Sequence, residues 1–237
     1  MQFLCLISVE SLDFLCRVGI RKQEEILVRS MISASYMKDG MNMKRIKSIA
    51  RETNETSIQM ELNLDGNGSG DISTGIPFFD HMLTLFSVHG FFDFMVKAEG
   101  DLDVDFHHTV EDTGLVMGDL LNQALGDRKG IKRYGHAITP MDETLADVSL
   151  DLSNRPFLVY NVPAIGQTGS GFDIQLAGEF FRAFATRGGI TLHINVQYGE
   201  NEHHIIEAIF KSVGRALDEA VSFDKRIRDV RSSKGCI

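Results

Sequence analysis

Two stretches decide the architecture: FHHTVEDTGLVMGDLL at residues 106–121 and EHHIIEAIFKSVGRAL at 202–217 follow the same pattern. Each opens on paired histidines, places a glutamate three residues after the second, and continues with apolar residues at helical spacing. In the later copy Ile206, Ile209, Val213 and Leu217 mark the face reserved for the core. Working outward, ETSIQMELNLDG (55–66) returns as ETLADVSLDLSN (143–154), and FFDHMLTLFSVHG (78–90) matches GEFFRAFATRGG (178–189) in apolar spacing. Alternating runs, FDFMVKAEG and TLHINVQYG, follow those last two and read as strands. The chain is therefore an internal duplication, each half reading strand, strand, helix, strand, helix. With turn residues clustered at DGNGSGD and GQTGSG, the pattern predicts an α+β fold. It consists of two tandem strand/helix sandwich repeats, residues 43–128 and 129–237, packed as one pseudo-twofold body. Residues 1–42 lack periodicity and end in the Met-dense YMKDGMNMKR. They read as an extension outside the fold, disordered or a start-site artefact with Met41 or Met43 as the start; a helix around residues 20–33 is the alternative.

Residues four apart share a helix face, so His107 and Glu111 point one way while His108 points about a hundred degrees round the axis. His203, His204 and Glu207 repeat the arrangement. A lone histidine at a helix start more often bonds nearby backbone than a metal, but two copies of His-His-x-x-Glu at matching places reverse those odds. Imidazole with carboxylate suits Mn, Fe, Zn or Co better than Mg or Ca. The duplication also sorts the candidates. Both glutamates recur, whereas Asp112 has Ala208 as its counterpart, which argues against Asp112 as a ligand. His81 in GIPFFDHML falls opposite Glu179 in LAGEFFRAF, making these two a candidate ligand pair. His193 corresponds to Met95 and receives no metal role; His89 and His136 have less support.

Composition bounds the remainder. With 237 residues and 43% hydrophobic content the chain can bury a large core without staples. A net charge of −9 gives no broad phosphate-binding surface, which argues against a nucleic-acid partner. Three cysteines, none in a C-x-x-C pair, suggest neither disulfides nor a thiolate zinc site and fit a reducing cytoplasm. No apolar run is long enough to span a bilayer, and the opening MQFLCLISVESLDFLC is interrupted by Glu10 and Asp13, so neither a membrane segment nor a secretion signal is read.

The blocks GIPFFDHML, DLDVDFHHTVEDTGLVMGDLL, ITPMDETLADVSLDLSNRPFLVY, YGENEHHIIEAIFK and the terminal SSKG together resemble the imidazoleglycerol-phosphate dehydratase family, from about residue 43 to the end. The resemblance implies a duplicated, ribosomal protein S5 domain 2-like unit, assembled from trimers into a homo-oligomer of 24 with metal sites between subunits. It implies that His81, His107, His108, Glu111, His203, His204 and Glu207 hold two manganese ions, and that Glu55 contacts the substrate as acid or base. Glu143, the counterpart of Glu55, and its neighbour Asp142 are secondary candidates. Arg133, Arg155, Ser232 and Lys234 are implied to grip the substrate phosphate, and Arg forks and a Lys charge suit that task. Two departures stand out: Glu179 where members often carry His, and Leu85 where they carry Gln. A carboxylate at 179 can still ligate, with a preference shifted toward harder ions.

The implied reaction removes water from D-erythro-imidazole-glycerol phosphate to give imidazole-acetol phosphate. The carbon-bound proton that is lost has no neighbouring carbonyl to acidify it. The resemblance implies instead that the substrate's imidazole bridges both metals as imidazolate and expels the hydroxyl through a diazafulvene-like intermediate, the metals acting as Lewis acids and template. Two rivals use the same donors. A dinuclear hydrolase would need an open water position, and a metal-glued scaffold would leave Arg133, Arg155 and Lys234 as scattered surface charges rather than converged on one pocket near the metals.

Overall fold

The computed structural model describes residues 45–163 and 172–235; the N-terminal extension read above lies outside them. Twelve elements follow one another: β1 (Ile46–Glu52), β2 (Thr56–Asn63), β3 (Gly70–Ser73), α1 (Pro77–Gly90), β4 (Asp93–Gly100), α2 (His107–Leu125), then β5 (Tyr134–Met141), β6 (Thr144–Asp151), β7 (Phe157–Asn161), α3 (Ile174–Gly188), β8 (Thr191–Tyr198) and α4 (Glu202–Val221). The duplication is complete, and the fold is α+β as the sequence predicts. Each half carries one strand more than the sequence reading counts. The third strands, β3 and β7, are four and five residues long, too short for alternation to stand out.

The two sheets share one topology, β1-β2-β4-β3 and β5-β6-β8-β7. Within each, the first three strands pair antiparallel, and the short strand lies parallel to its neighbour at the edge. Alternation sets the faces: Ile58, Met60 and Leu62 of β2 are buried while Ser57, Gln59 and Glu61 face out. The inward faces meet the helices, α2 on β2 and β1, and α4 on β5 and β6. The helices then pack across the halves, α1 against α4 and α2 against α3. Phe79, Phe172, Phe180, Phe181 and Phe210 form an aromatic cluster there, with ring centroids 4.8–6.4 Å apart.

Glycine lets these helices meet backbone to backbone. A Cβ on Gly214 would stand 2.6 Å from the Phe86 carbonyl, and one on Gly118 2.7 Å from the Phe184 carbonyl. Gly118 and Phe184 are the counterparts of Gly214 and Phe86 in the duplication, so both helix pairs are locked by the same contact. That contact brings the start of α1, with His81, beside the start of α4, with His203 and Glu207.

Candidate active site

Local chemistry starts α2 and α4 at their paired histidines. Asn201 caps α4 by accepting the His203 N–H at 2.9 Å; at α2 the N-cap is Phe106, and Asp105 just before it accepts the His107 N–H at 2.7 Å. Pro77 opens α1, where its missing N–H is no loss.

His81, His203 and Glu207 come together. One donor atom from each lies within 4.8 Å of the others, and no other trio of such side chains among the described residues does so. Glu207 Oε2 is 3.2 Å from His203 Nε2 and 3.6 Å from His81 Nε2. Both imidazoles are roughly half exposed, but the glutamate side chain is only 8% exposed. Burial alone would raise its carboxyl, yet Lys211, 2.6 Å from Oε1, with His203 and His81, holds it below the usual range. A buried, ionised carboxylate between two reachable imidazoles fits a divalent transition metal.

The matching trio of the other half is looser. His107 Nε2 stands 3.4 Å from Glu111 Oε2. Glu179, on α3, instead accepts from Arg182 at 3.1 Å.

The second histidine of each pair meets a carboxylate through Nδ1. His204 Nδ1 is 2.7 Å from Glu143 Oε2, and His108 Nδ1 is 3.0 Å from Asp101 Oδ2. Each contact raises its histidine's pKa. Glu143 also receives the Glu200 and Asn201 N–H groups, and with His204 as the leading cause its pKa is lowered to about 2. Asp142 approaches His204 Nε2 at 3.8 Å. Glu55 stands apart: its Oε2 is 4.0 Å from His108 Nδ1 and its side chain is 56% exposed. Asp101 escaped the sequence reading because it sits in the β4–α2 loop, which is longer than its β8–α4 counterpart, so the duplication offers no twin.

Arg133, Arg155, Ser232 and Lys234 converge on one open pocket of about 570 Å³, joined by Tyr134, Ser153, Asn154 and Arg231. These charges are gathered rather than scattered, but within one chain the pocket is not beside the metal candidates: it lies at the end of β5 and β6 where Tyr134 pairs with Asp151, and Glu143 with His204 lies at the other. Within the pocket Arg133 is buried, and its fork is engaged by Asp151 at 2.6 and 2.9 Å and by the Arg231 carbonyl. Arg155 and Lys234 are exposed. His193 faces outward on β8, and His136 pairs with Asp147 at 3.2 Å. Burial lowers the His89 pKa, with Lys211 and Arg215 adding to it. Leu85 packs against the core on α1.

Against known proteins, residues 74–217 match the family model for imidazoleglycerol-phosphate dehydratase. A relative of that name from Desulfosudis oleivorans is 64% identical over 195 residues, covering 82% of this chain and all of its own. Another, from Syntrophobacter fumaroxidans, is 58% identical over 194 residues, covering 82% and 98%. The crystal structure of the Staphylococcus aureus N315 enzyme matches with a TM-score of 0.69 at 39% identity, over 76% of this chain and 99% of its own. The Pyrococcus furiosus enzyme in complex with (S)-C348 matches at 0.70 and 38%, over 80% and 100%. Duplicated scaffold, imidazole-carboxylate clusters and these likenesses together define the class, a hydro-lyase of histidine biosynthesis. The chain belongs to the imidazoleglycerol-phosphate dehydratase family. No helix among the described residues is long and apolar enough to cross a membrane.

Proposed function

We propose that this chain dehydrates D-erythro-imidazole-glycerol phosphate to imidazole-acetol phosphate in the cytoplasm, using two manganese ions per active site. The observation that carries the reading is the cluster of His81, His203 and Glu207, whose donors fit a borderline divalent metal. One ion is assigned to that cluster and the other to its counterpart in the first half, His107, Glu111 and Glu179; His108 and His204, each turned about a hundred degrees from that face of its helix, complete the ligand set. Metals held by these residues would supply Lewis acidity and a template for the substrate's imidazole ring.

The chain's own groups do the rest. Glu143 and Asp101 orient His204 and His108 through Nδ1 so that each Nε2 faces the ligand. Glu55, exposed and close to His108, takes the carbon-bound proton. Arg155, Ser232 and Lys234 hold the phosphate, while Arg133 fixes the pocket wall through Asp151.

The reading also favours an assembly. Asp151 and Tyr134 pair at one end of the β5–β6 hairpin, and Met141 pairs with Thr144 at the other, beside Glu143. Seven residue steps of strand at the usual rise separate the phosphate pocket from His204 by about 24 Å. A substrate this small cannot touch both within one chain, so pockets and metal clusters from different copies must meet. That agrees with the 24-subunit particle built from trimers which the resemblance implies.

The test is product analysis by NMR with imidazole-glycerol phosphate and Mn²⁺. The dehydratase yields imidazole-acetol phosphate with its phosphate retained. Release of inorganic phosphate without the ketone would select the hydrolase instead.

A further inference from the structure

Asp112 is a buried acid that the duplication leaves without a twin. It lies one helical turn beyond His108 and so on the same face of α2. Its carboxylate accepts the Thr56 hydroxyl at 2.5 Å and lies 2.5 Å from Arg51 Nη1, the latter a charge contact rather than an aligned hydrogen bond. Arg51 is near the end of β1 and Thr56 is the first residue of β2, so Asp112 grips both sides of the turn that presents Glu55. Inside that turn the Thr53 hydroxyl receives the Glu55 and Thr56 N–H groups, and the Glu55 carbonyl accepts from Asp101. Thr56 is 3% exposed and Asp112 9%, so the link is shielded from water.

The second half solves the same problem differently. There the turn residue Glu143 is itself tied down, to His204 and to the Glu200 and Asn201 N–H groups, and the position matching Asp112 is the fully buried Ala208. Where the turn carboxylate is the anchor, the helix needs none. Where it must stay free, as at Glu55, the helix supplies one. We infer that Asp112 is a positioning residue: it is no metal ligand, and it holds the β1–β2 turn so that the unpinned Glu55 carboxylate stands beside His108. The inference rests on the proposed proton-transfer role of Glu55.

The test compares kcat, KM and metal content of Asp112→Ala, Thr56→Val, Glu55→Gln and the double variant Asp112→Ala with Glu55→Gln, all in the assembled enzyme. Asp112→Ala and Thr56→Val are expected to lower kcat about 10- to 100-fold while KM and bound metal stay within about twofold, with Asp112→Asn, which keeps an acceptor for Thr56, in between. The double variant is expected to be no slower than Glu55→Gln alone, because residues acting as a unit are not additive. Losses that multiply in the double variant, or metal lost from Asp112→Asn, overturn the inference. A fully active Glu55→Gln removes the proton-transfer role itself and the inference with it. Should Asp112→Ala not fold, Thr56→Val in the Glu55→Gln background decides by the same criterion.

Discussion

Glu143 Oε2 and His204 Nδ1 stand 2.7 Å apart, and the corresponding histidine of the other half, His108, meets Asp101 at 3.0 Å. The same contact is thus made twice by carboxylates from unrelated places in the repeat. Carboxylates of this kind fix the tautomer of a ligating imidazole. Glu143→Gln and Asp101→Asn are therefore expected to weaken Mn²⁺ binding about 10- to 100-fold, as measured by titration of the metal-free protein. Unaltered affinity in both would show that these carboxylates do not orient ligands.

The helix contacts at Gly214 and Gly118 leave no room for a methyl group. Gly214→Ala must push α1 from α4, and overpacking of this kind costs about 1–3 kcal/mol. Thermal unfolding should show the loss, with Gly118→Ala behaving alike. Gly126, whose added Cβ meets nothing within 4 Å, should lose less, although its φ of +55° brings some strain. A Gly214→Ala protein of full stability would contradict the packing described.

Asp93 organises the β2–β3 loop by accepting from the Asn67 and Ser69 N–H groups and the Asn63 amide. Those bonds, the Asn67 N–H foremost, hold its carboxyl below the ordinary aspartate value. The sign follows from linkage. The stability it adds is complete above the unfolded aspartate pKa and fades as pH falls through the lower folded one. Asp93→Asn should cost about 1–2 kcal/mol near neutral pH, and the gap from the parent should close in acid. A gap in unfolding free energy that is constant from pH 7 to pH 3 would refute this.

The pocket proposed to hold the phosphate separates grip from support. Arg155→Ala and Lys234→Ala should each raise KM about 10- to 100-fold, the range for losing a hydrogen bond to a charged group. Arg133→Lys loses the two-pronged bond to Asp151 and should lower the unfolding free energy by about 1–3 kcal/mol with a smaller effect on KM. Weakened substrate binding at unchanged stability would mean that the Arg133 fork turns to the phosphate.

Much of this was legible because the chain repeats itself. A residue recurring in both halves, such as Glu111 with Glu207, announces itself without an alignment, and the match of His81 to Glu179 survives in the helix contacts of Phe86 and Phe184. The same filter is blind to what diverged. Asp101 and Glu143 contact the paired histidines from different loops, so comparing halves named Glu143 only as the counterpart of Glu55, passed over Asp101, and set Asp112 aside because Ala208 stands opposite it. Arg133 shows another limit: an arginine's presence is readable, but its engagement by Asp151 depends on the register that sets Tyr134 against Asp151. The spread of Glu143 and Arg133 to opposite ends of one hairpin is likewise a matter of register.

The central claim is that dehydration needs metal held by the His81, His203 and Glu207 cluster and its counterpart. It is tested most directly by stripping the purified protein with a chelator, verifying its metal content, and returning Mn²⁺ while following imidazole-acetol phosphate. Turnover should vanish with the metal and return in proportion to Mn²⁺ until two ions are bound per chain. Undiminished turnover in protein shown to be metal-free would contradict the account.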